Sequence, residues 1–203
     1  MNLIAKALLE SKAVHIEPNP EKFFTWTSGR RSPIYCDNRQ LISYPEFRKQ
    51  ITKSFVKYIQ TEFPDTELIA GTATAGIAWA AWIADELNLP MVYIRSKPKG
   101  HGLKSAIEGK ATSGQKTLII EDLISTGKSS FEAYEHCKSD SLEVSAIVSI
   151  FTYGFPESVK KFTEHKLDFH SLCSVEDLLS YAKDQSLLQE ADCDLVLNWR
   201  DSF

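Results

Sequence analysis

Two adjacent carboxylates, Glu121 and Asp122, follow the apolar run Thr117-Leu118-Ile119-Ile120. After Leu123 and Ile124 comes a turn of hydroxyl-bearing and small residues, Ser125-Thr126-Gly127-Lys128-Ser129-Ser130. A strand that ends in such a turn and opens a helix presents free backbone N–H groups at the helix N-terminus, where an anion is stabilised. The N–H groups of Ser125 to Ser129 and the hydroxyls of Ser125, Thr126 and Ser129 can therefore surround a phosphate. Two carboxylates touching that phosphate would repel it, so they fit as acceptors for sugar hydroxyls, and the combination specifies ribose 5-phosphate. Asp122 has a second role open to it, as a general base, although a strand-end pair fits ribose better. The segment is not a nucleoside-triphosphatase loop, because G-x-x-x-x-G-K-[ST] needs glycine where Asp122 stands.

Two more segments suit anions. Gly71-Thr72-Ala73-Thr74-Ala75-Gly76-Ile77 is built of small residues that let backbone approach a ligand closely. Between Arg95 and Thr117 lies a long interval with Gly100, Gly102, Gly109 and Gly114 and no helical or strand period; it carries Lys97, Lys99, His101, Lys104 and Lys110. Structureless loops beyond ~12–15 residues are uncommon in compact domains. A glycine-hinged cationic loop is what a lid over phosphates requires, the alternative being a solvated surface loop.

These residues need a frame. An amphipathic helix is expected over Met1 to Val14, then a hairpin of Phe23 to Thr27 with Pro33 to Cys36 around Ser28-Gly29-Arg30-Arg31. From Tyr44 the pattern alternates: a helix to Thr61, a strand at Glu67 to Ala70, a helix at Ala75 to Leu87 and a strand at Met91 to Arg95. A strand at Thr117 to Glu121, a helix at Gly127 to Lys138 and a strand at Glu143 to Phe151 follow, and Phe155 to Leu197 reads as two or three helices. Leu68-Ile69-Ala70 and Leu118-Ile119-Ile120 are apolar without alternation, as parallel strands covered on both faces must be. The fold expected is an α/β sheet, mainly parallel, flanked by helices, in one domain over 1–203 with the helix and hairpin in 1–40.

With 203 residues, 43% hydrophobic and 25% charged, the chain can bury one sizeable core. Its 27 acidic and 23 basic residues give no positive field for nucleic acid or an anionic membrane, so any anion site must be local. The apolar stretch Ala75 to Ala84 is about half the ~20 residues of a spanning helix, and Lys6, Glu10 and Lys12 interrupt any secretory signal, so a cytoplasmic location is expected. Cys36, Cys137, Cys173 and Cys193 have no CxxC or zinc spacing and are expected reduced and structural. His136 adjoins Cys137, but neighbours at i and i+1 diverge on a helix and make a poor nucleophile–base pair.

The segment 117–130 resembles the 5-phosphoribosyl 1-diphosphate motif of type I phosphoribosyltransferases, a motif shared with diphosphate synthetases and some transcription regulators. Phe24-Thr-Trp-Thr-Ser-Gly-Arg-Arg-Ser-Pro-Ile-Tyr-Cys-Asp-Asn-Arg39 is similar to the N-terminal hood of the orotate phosphoribosyltransferases. Gly71 to Ile77 resembles their pyrophosphate loop, and Arg95-Ser-Lys-Pro-Lys-Gly-His-Gly102 their mobile catalytic loop. The resemblance covers about residues 23 to 130 in the right order. It implies transfer of a phosphoribosyl group to orotate, Mg²⁺ as cofactor, and a homodimer whose Lys99 and His101 reach the neighbouring subunit.

By the same resemblance, Arg95, Lys99 and His101 contact pyrophosphate, with Thr72, Ala73, Thr74, Ala75 and Gly76 beneath it. Glu121, Asp122, Leu123, Ile124, Ser125, Thr126, Gly127, Lys128 and Ser129 hold the ribose phosphate. Orotate meets the strand at Tyr35 and Cys36 and also Ser125; Arg30, Arg31 and Arg39 are candidates for its carboxylate, beside a plain solvated reading of each. The sequence departs from the family pattern at Thr27, in place of a lysine, at Ser96, in place of a second basic residue, and at Lys128, in place of glycine. Ile150 to Tyr153 also lacks an arginine that some members use near orotate. The hood favours orotate over a purine base, and the acidic balance speaks against a nucleic-acid-binding regulator.

Lys99 would stabilise charge that grows as pyrophosphate departs, and losing one such contact costs on the order of 3 kcal/mol, about a hundredfold in rate. Lys99→Ala should therefore lower kcat far more than it weakens substrate binding; steady-state kinetics with a raised KM and an unchanged kcat would make Lys99 a binding residue only.

Overall fold

The computed structural model describes residues 2–26, 28–96 and 105–203, so Thr27 and the Lys99 and His101 of the expected lid lie outside the described residues. Helix α1 (Leu3–Glu10) starts where the Asn2 side chain accepts from the N–H groups of Ile4 and Ala5, and it buries Ile4, Ala5, Ala7 and Leu8 on one face. Four short strands follow: β1 (Val14–Ile16), β2 (Phe24–Thr25), β3 (Arg31–Ser32) and β4 (Ile34–Cys36).

The expected hairpin forms with different partners. Phe24 and Thr25 pair with Ser32 and Arg31, so the partner strand begins at the last residue of the expected turn, while β4 pairs antiparallel with β1. Pro33, between β3 and β4, has no N–H to donate to a ladder, which divides one expected strand into two with separate partners.

The alternating region runs through α2 (Pro45–Glu62), β5 (Leu68–Thr72), α3 (Ala75–Leu87), β6 (Met91–Ile94), β7 (Ile107–Glu108), β8 (Lys116–Ile124), α4 (Lys128–Ser139) and β9 (Glu143–Thr152). It continues through α5 (Pro156–Glu164), β10 (Phe169–Ser174), α6 (Val175–Asp184) and α7 (Glu190–Asp201). Six strands form the main sheet in the order β10-β9-β8-β5-β6-β7. All neighbours are parallel except the short β7, which runs antiparallel to β6.

Two strands of the main sheet depart from the sequence reading, and outside it β1 takes Val14, expected in the first helix. β7 occupies part of the interval expected to be structureless, and its two residues are too few to show a period. β10 stands among helices where only helices were expected. Its sequence, Phe-His-Ser-Leu-Cys-Ser, mixes polar and apolar residues, and as an edge strand it is mostly half-buried instead of fully covered.

The central strands show why they lack alternation. Ile69, Leu118, Ile120, Ala146, Val148 and Ile150 join a core shared with Trp79 and Ile83 of α3 and residues of α1, α2 and α6. Their neighbours Leu68, Ala70, Ile119 and Ile147 join a second core with Ala133 and Cys137 of α4 and Phe162 of α5. Successive side chains point to opposite faces and both faces are covered, so the positions are apolar except where a buried hydroxyl is hydrogen-bonded, as Ser149 is to Ser171.

The strand order matters for function. From β5 the chain first builds outward to β6 and β7, then returns to lay β8 on the other side of β5. Such a reversal leaves a crevice at the carboxyl ends of the two strands, the usual ligand position in open α/β sheets. Beside it, Trp26 packs against Tyr153, Phe155 and Trp199 at centroid distances of 5.3, 6.1 and 5.6 Å. Trp199 Nε1 donates to the carbonyl of Arg31 at 2.8 Å, and the Arg30 guanidinium lies 3.3 Å from the Phe203 ring centroid. These contacts fasten the N-terminal hairpin to α7.

Helix α3 approaches β8 closely at Gly76, where an added Cβ would stand 2.5 Å from the Ile120 carbonyl oxygen and 2.6 Å from Thr72 Oγ1. Neither atom is the free end of a flexible chain. Gly76→Ala should therefore destabilise by about 1–3 kcal/mol, the scale of overpacking, and shift the chemical denaturation midpoint down; an unchanged midpoint would show that helix and strand are not in contact there.

Candidate active site

Strands β5 and β8 bring the two anion-suited segments together. At the end of β5, Thr72 is buried and its hydroxyl lies 2.6 Å from Glu121 Oε1 and 3.2 Å from the Ile120 carbonyl. Thr72 therefore turns its side chain inward, and Ala73 and Thr74 form the turn into α3, whose first turn holds Ala75 and Gly76. The Ala73–Thr74 peptide bond is cis, and no side chain caps α3. Its first N–H groups are open to an anion, as the small residues require.

At the end of β8 the two carboxyls stay within hydrogen-bonding reach of one another but differ in exposure. Glu121 is 5% exposed; Oε1 accepts from Thr72 and from the Asp122 N–H at 3.2 Å, and Oε2 accepts from Ser130 Oγ at 3.3 Å. Its carboxylate thus joins the end of β5 to the first turn of α4. Asp122 is half-buried and lies beside it. Both carboxyls are held above their ordinary range: Glu121 by burial and then by the charge of Asp122, and Asp122 by burial.

Beyond them Ser125 and Thr126 turn the chain, and Gly127, at φ +71°, leads into α4 with no side chain capping it. An added Cβ at Gly127 would also stand 2.8 Å from the Phe162 ring, so glycine is needed there for conformation and for space. Lys128 and Ser129 are exposed at the mouth, whereas Ser130 is fully buried. A cleft of about 630 Å³ is lined by Ser125, Thr126, Trp26, Ser28, Gly29 and Arg30, so the turn after β8 and the N-terminal hairpin share one opening.

On the other flank, a small recess lies between Thr72 and Ala73, Ile94 to Ser96, and Ser129, Glu132 and Ala133. Arg95 is held there: its N–H donates to the Ala106 carbonyl, and its guanidinium meets Glu108 of β7 at 3.4 Å. The strand at Tyr35 and Cys36 presents an exposed tyrosine beside Phe24 at 5.8 Å and a buried cysteine. Three arginines considered for the substrate carboxylate have protein partners. Arg39 binds Asp37 through Nε and Nη2, Arg31 donates to the carbonyls of Pro20 and Glu21, and Arg30 lies over Phe203.

The structure thus brings together Thr72 to Gly76, Arg95 and Glu121 to Ser129 at one crevice, with Trp26, Ser28, Gly29 and Arg30 at its other wall. The four cysteines are free and buried, and burial raises the thiols of Cys36, Cys137, Cys173 and Cys193. Sequence reasoning missed the inward role of Thr72 and the buried Asn38, whose Nδ2 donates to the Asp122 carbonyl at 2.6 Å. A polar residue between Asp37 and Arg39 gives no sign that it is buried, so only the fold reveals it.

The chain matches a family model described as "Phosphoribosyl transferase domain" over residues 38–167. It is 46% identical over 200 residues to the orotate phosphoribosyltransferase of Fusobacterium nucleatum, covering 98% of this chain and 95% of that one. With the orotate phosphoribosyltransferase of Bacillus subtilis it shares 46% over 198 residues, covering 98% and 91%. Among solved structures it is similar to Leishmania donovani UMP synthase, with TM-score 0.79 and 30% identity over 98% of this chain, although the chain spans only 42% of that longer protein. Its likeness to orotate phosphoribosyltransferase from Aeropyrum pernix, with TM-score 0.78 and 24% identity over 92% and 99% of the two chains, is one of fold.

The buried Glu121 carboxyl has a consequence for stability. Because the folded chain keeps its proton to higher pH than the unfolded chain, its contribution is fully present below the ordinary glutamate value of ~4.3 and is lost as pH rises through the folded value. Glu121→Gln does not titrate, so its stability relative to wild type should grow from about pH 4 upward. Ligand-free thermal unfolding across that range tests this, and a gap that stayed flat or shrank would contradict it.

Proposed function

The chain belongs to the phosphoribosyltransferase family and, within it, to the orotate phosphoribosyltransferases, and from that premise we propose how its residues divide the reaction. That reaction joins N1 of orotate to C1 of 5-phosphoribosyl 1-diphosphate, giving orotidine 5′-phosphate and pyrophosphate in pyrimidine biosynthesis. We read residues 1–203 as one domain for this purpose, with 1–40 forming the helix and hood.

The observation that carries the assignment is the 2.6 Å contact between Thr72 and Glu121. A substrate with pyrophosphate on C1 and phosphate on C5 needs two anion cradles one ribose apart, and this contact sets two such turns side by side. In this reading the N–H groups and hydroxyls of Ser125 to Ser129, with Lys128, take the 5-phosphate. Leu123 and Ile124 carry the backbone past the ribose, and Asp122 accepts from its hydroxyls. Glu121 lies in the same ribose-binding segment, with its carboxylate engaged by Thr72 and Ser130.

The backbone of Thr72, Ala73, Thr74, Ala75 and Gly76 takes the pyrophosphate, and Arg95 adds charge on leaving Glu108. Lys99 and His101 complete the cover, reaching from the neighbouring subunit of a homodimer. Orotate lies between the backbone at Tyr35 and Cys36 and the side chain of Ser125. Charge moves onto the departing pyrophosphate, so catalysis rests on position and preorganised positive groups, and closure keeps water from C1.

Mg²⁺ fits this site as an ion carried mainly by the substrate. Both oxygens of Glu121 are engaged by Thr72, Ser130 and the Asp122 N–H, which leaves the half-buried Asp122 as the carboxylate that could ligate a substrate-borne Mg²⁺ or accept from its water. When bound, Mg²⁺ supplies neutralisation of the pyrophosphate charge. We place the enzyme in the cytoplasm; among the described residues no helix is long and apolar enough to cross a membrane.

The test is incubation of the purified chain with Mg²⁺, 5-phosphoribosyl 1-diphosphate and, separately, orotate, uracil, hypoxanthine or adenine. Consumption of orotate alone, abolished by a chelator, is the expected result. Turnover of a purine would overturn the assignment of the hood, and no turnover with any base would remove the catalytic reading.

A further inference from the structure

Asn38 follows β4 and is 1% exposed. Its Nδ2 donates to the main-chain carbonyl of Asp122 at 2.6 Å, across 84 residues of sequence, and its Oδ1 accepts from Cys36 Sγ at 3.2 Å. The thiol fixes which way the amide points. Burial first, then the nearby Asp122 and Asp37 charges, keep the Cys36 thiol protonated, so it donates and must meet the amide oxygen. The amide nitrogen is left facing the carbonyl, which can only accept.

These two bonds end on the two segments that must be aligned for transfer. Cys36 belongs to the strand proposed to meet the base, and Asp122 to the residues proposed to meet the ribose. Among the described residues no ladder aligns them, because β4 pairs there with β1 and stands outside the six-stranded sheet. Apolar burial between hood and sheet is not directional, and the other polar ties, Tyr153 to the Cys36 backbone and Trp199 to the Arg31 carbonyl, reach the hood from the end of β9 and from α7 and not from the Asp122 strand end. A short bond from a fully buried side chain is directional, and leaving it unmade strands a buried polar group.

We propose that Asn38 is a positioning residue for phosphoribosyl transfer, holding the base-side strand against the ribose-side strand end so that N1 of orotate and C1 of the ribose stay at attack distance. This rests on the division of the site given above. Asn38 touches neither substrate, so removing it leaves binding groups in place and disturbs their alignment. Misplacement by about 1 Å costs on the order of a hundredfold in rate.

The experiment compares wild type, Asn38→Leu and Asn38→Asp in steady-state kinetics across pH. Asn38→Leu should lower kcat by about ten- to a hundredfold, with KM for both substrates changed by less than about threefold. Asn38→Asp keeps the shape but places a carboxylate against the carbonyl; protonated, it regains a donor. Its kcat relative to wild type should therefore rise as pH falls, a slope that a purely structural defect would not produce. The Asn38→Asp profile stands on its own if Asn38→Leu fails to fold. A kcat within twofold of wild type in Asn38→Leu, a rise in KM at constant kcat, or a pH-independent ratio for Asn38→Asp would each overturn the proposal. Failure of the wild type to consume orotate would instead strike the functional assignment.

Discussion

The interaction on which the site depends is the close approach of two parallel strand ends, which the proposed division of the reaction needs so that backbone can reach two anionic groups one sugar apart. Strands β5 and β8 meet this by lying side by side at the reversal of strand order. Gly71 extends the same crowding toward α3, where an added Cβ would stand 2.8 Å from the Ala80 Cβ. Thr72, Glu121 and Ser130 then tie the two turns by side-chain bonds, all three residues being buried. A buried carboxylate is costly unless each of its oxygens is satisfied, so this triangle holds one arrangement of the turns and penalises others.

The hood is secured differently. Aromatic contacts among Trp26, Tyr153, Phe155, Trp199 and Phe203 cover large area with loose angular preference. Direction comes from a few polar bonds: Trp199 to the Arg31 carbonyl and Asn38 to the Asp122 carbonyl. The site is thus a stiff pair of anion turns facing a wall held by area and adjusted by single hydrogen bonds.

Much of this was legible in the sequence. The runs Leu68–Ala70 and Leu118–Ile120 read as doubly covered strands because the two cores leave them no polar position. The expected parallel sheet, its flanking helices and the 117–130 segment all stand where the pattern put them. What escaped was information carried by partners distant in sequence. β10 has a mixed composition because only part of it is covered, and Pro33 redirected the pairing of β3 and β4 in a way that turn chemistry alone did not reveal. Residue types identified Glu121 and Asp122 as a pair, but not that one turns inward to Thr72 while the other stays half-buried. Asn38 was invisible for the same reason, since its two bonds depend on a packing that no local pattern encodes.

The bond from Trp199 to Arg31 spans 168 residues. Ribosomes add roughly 5–20 residues per second, so a newly made Arg31 waits on the order of ten seconds or more before its indole partner exists. The strand ends between residues 68 and 130 wait only for β9 and for Phe162, which lies against Gly127, whereas the hairpin wall beside Ser125 and Thr126 stays without its indole and ring supports until Trp199 and Phe203 are made.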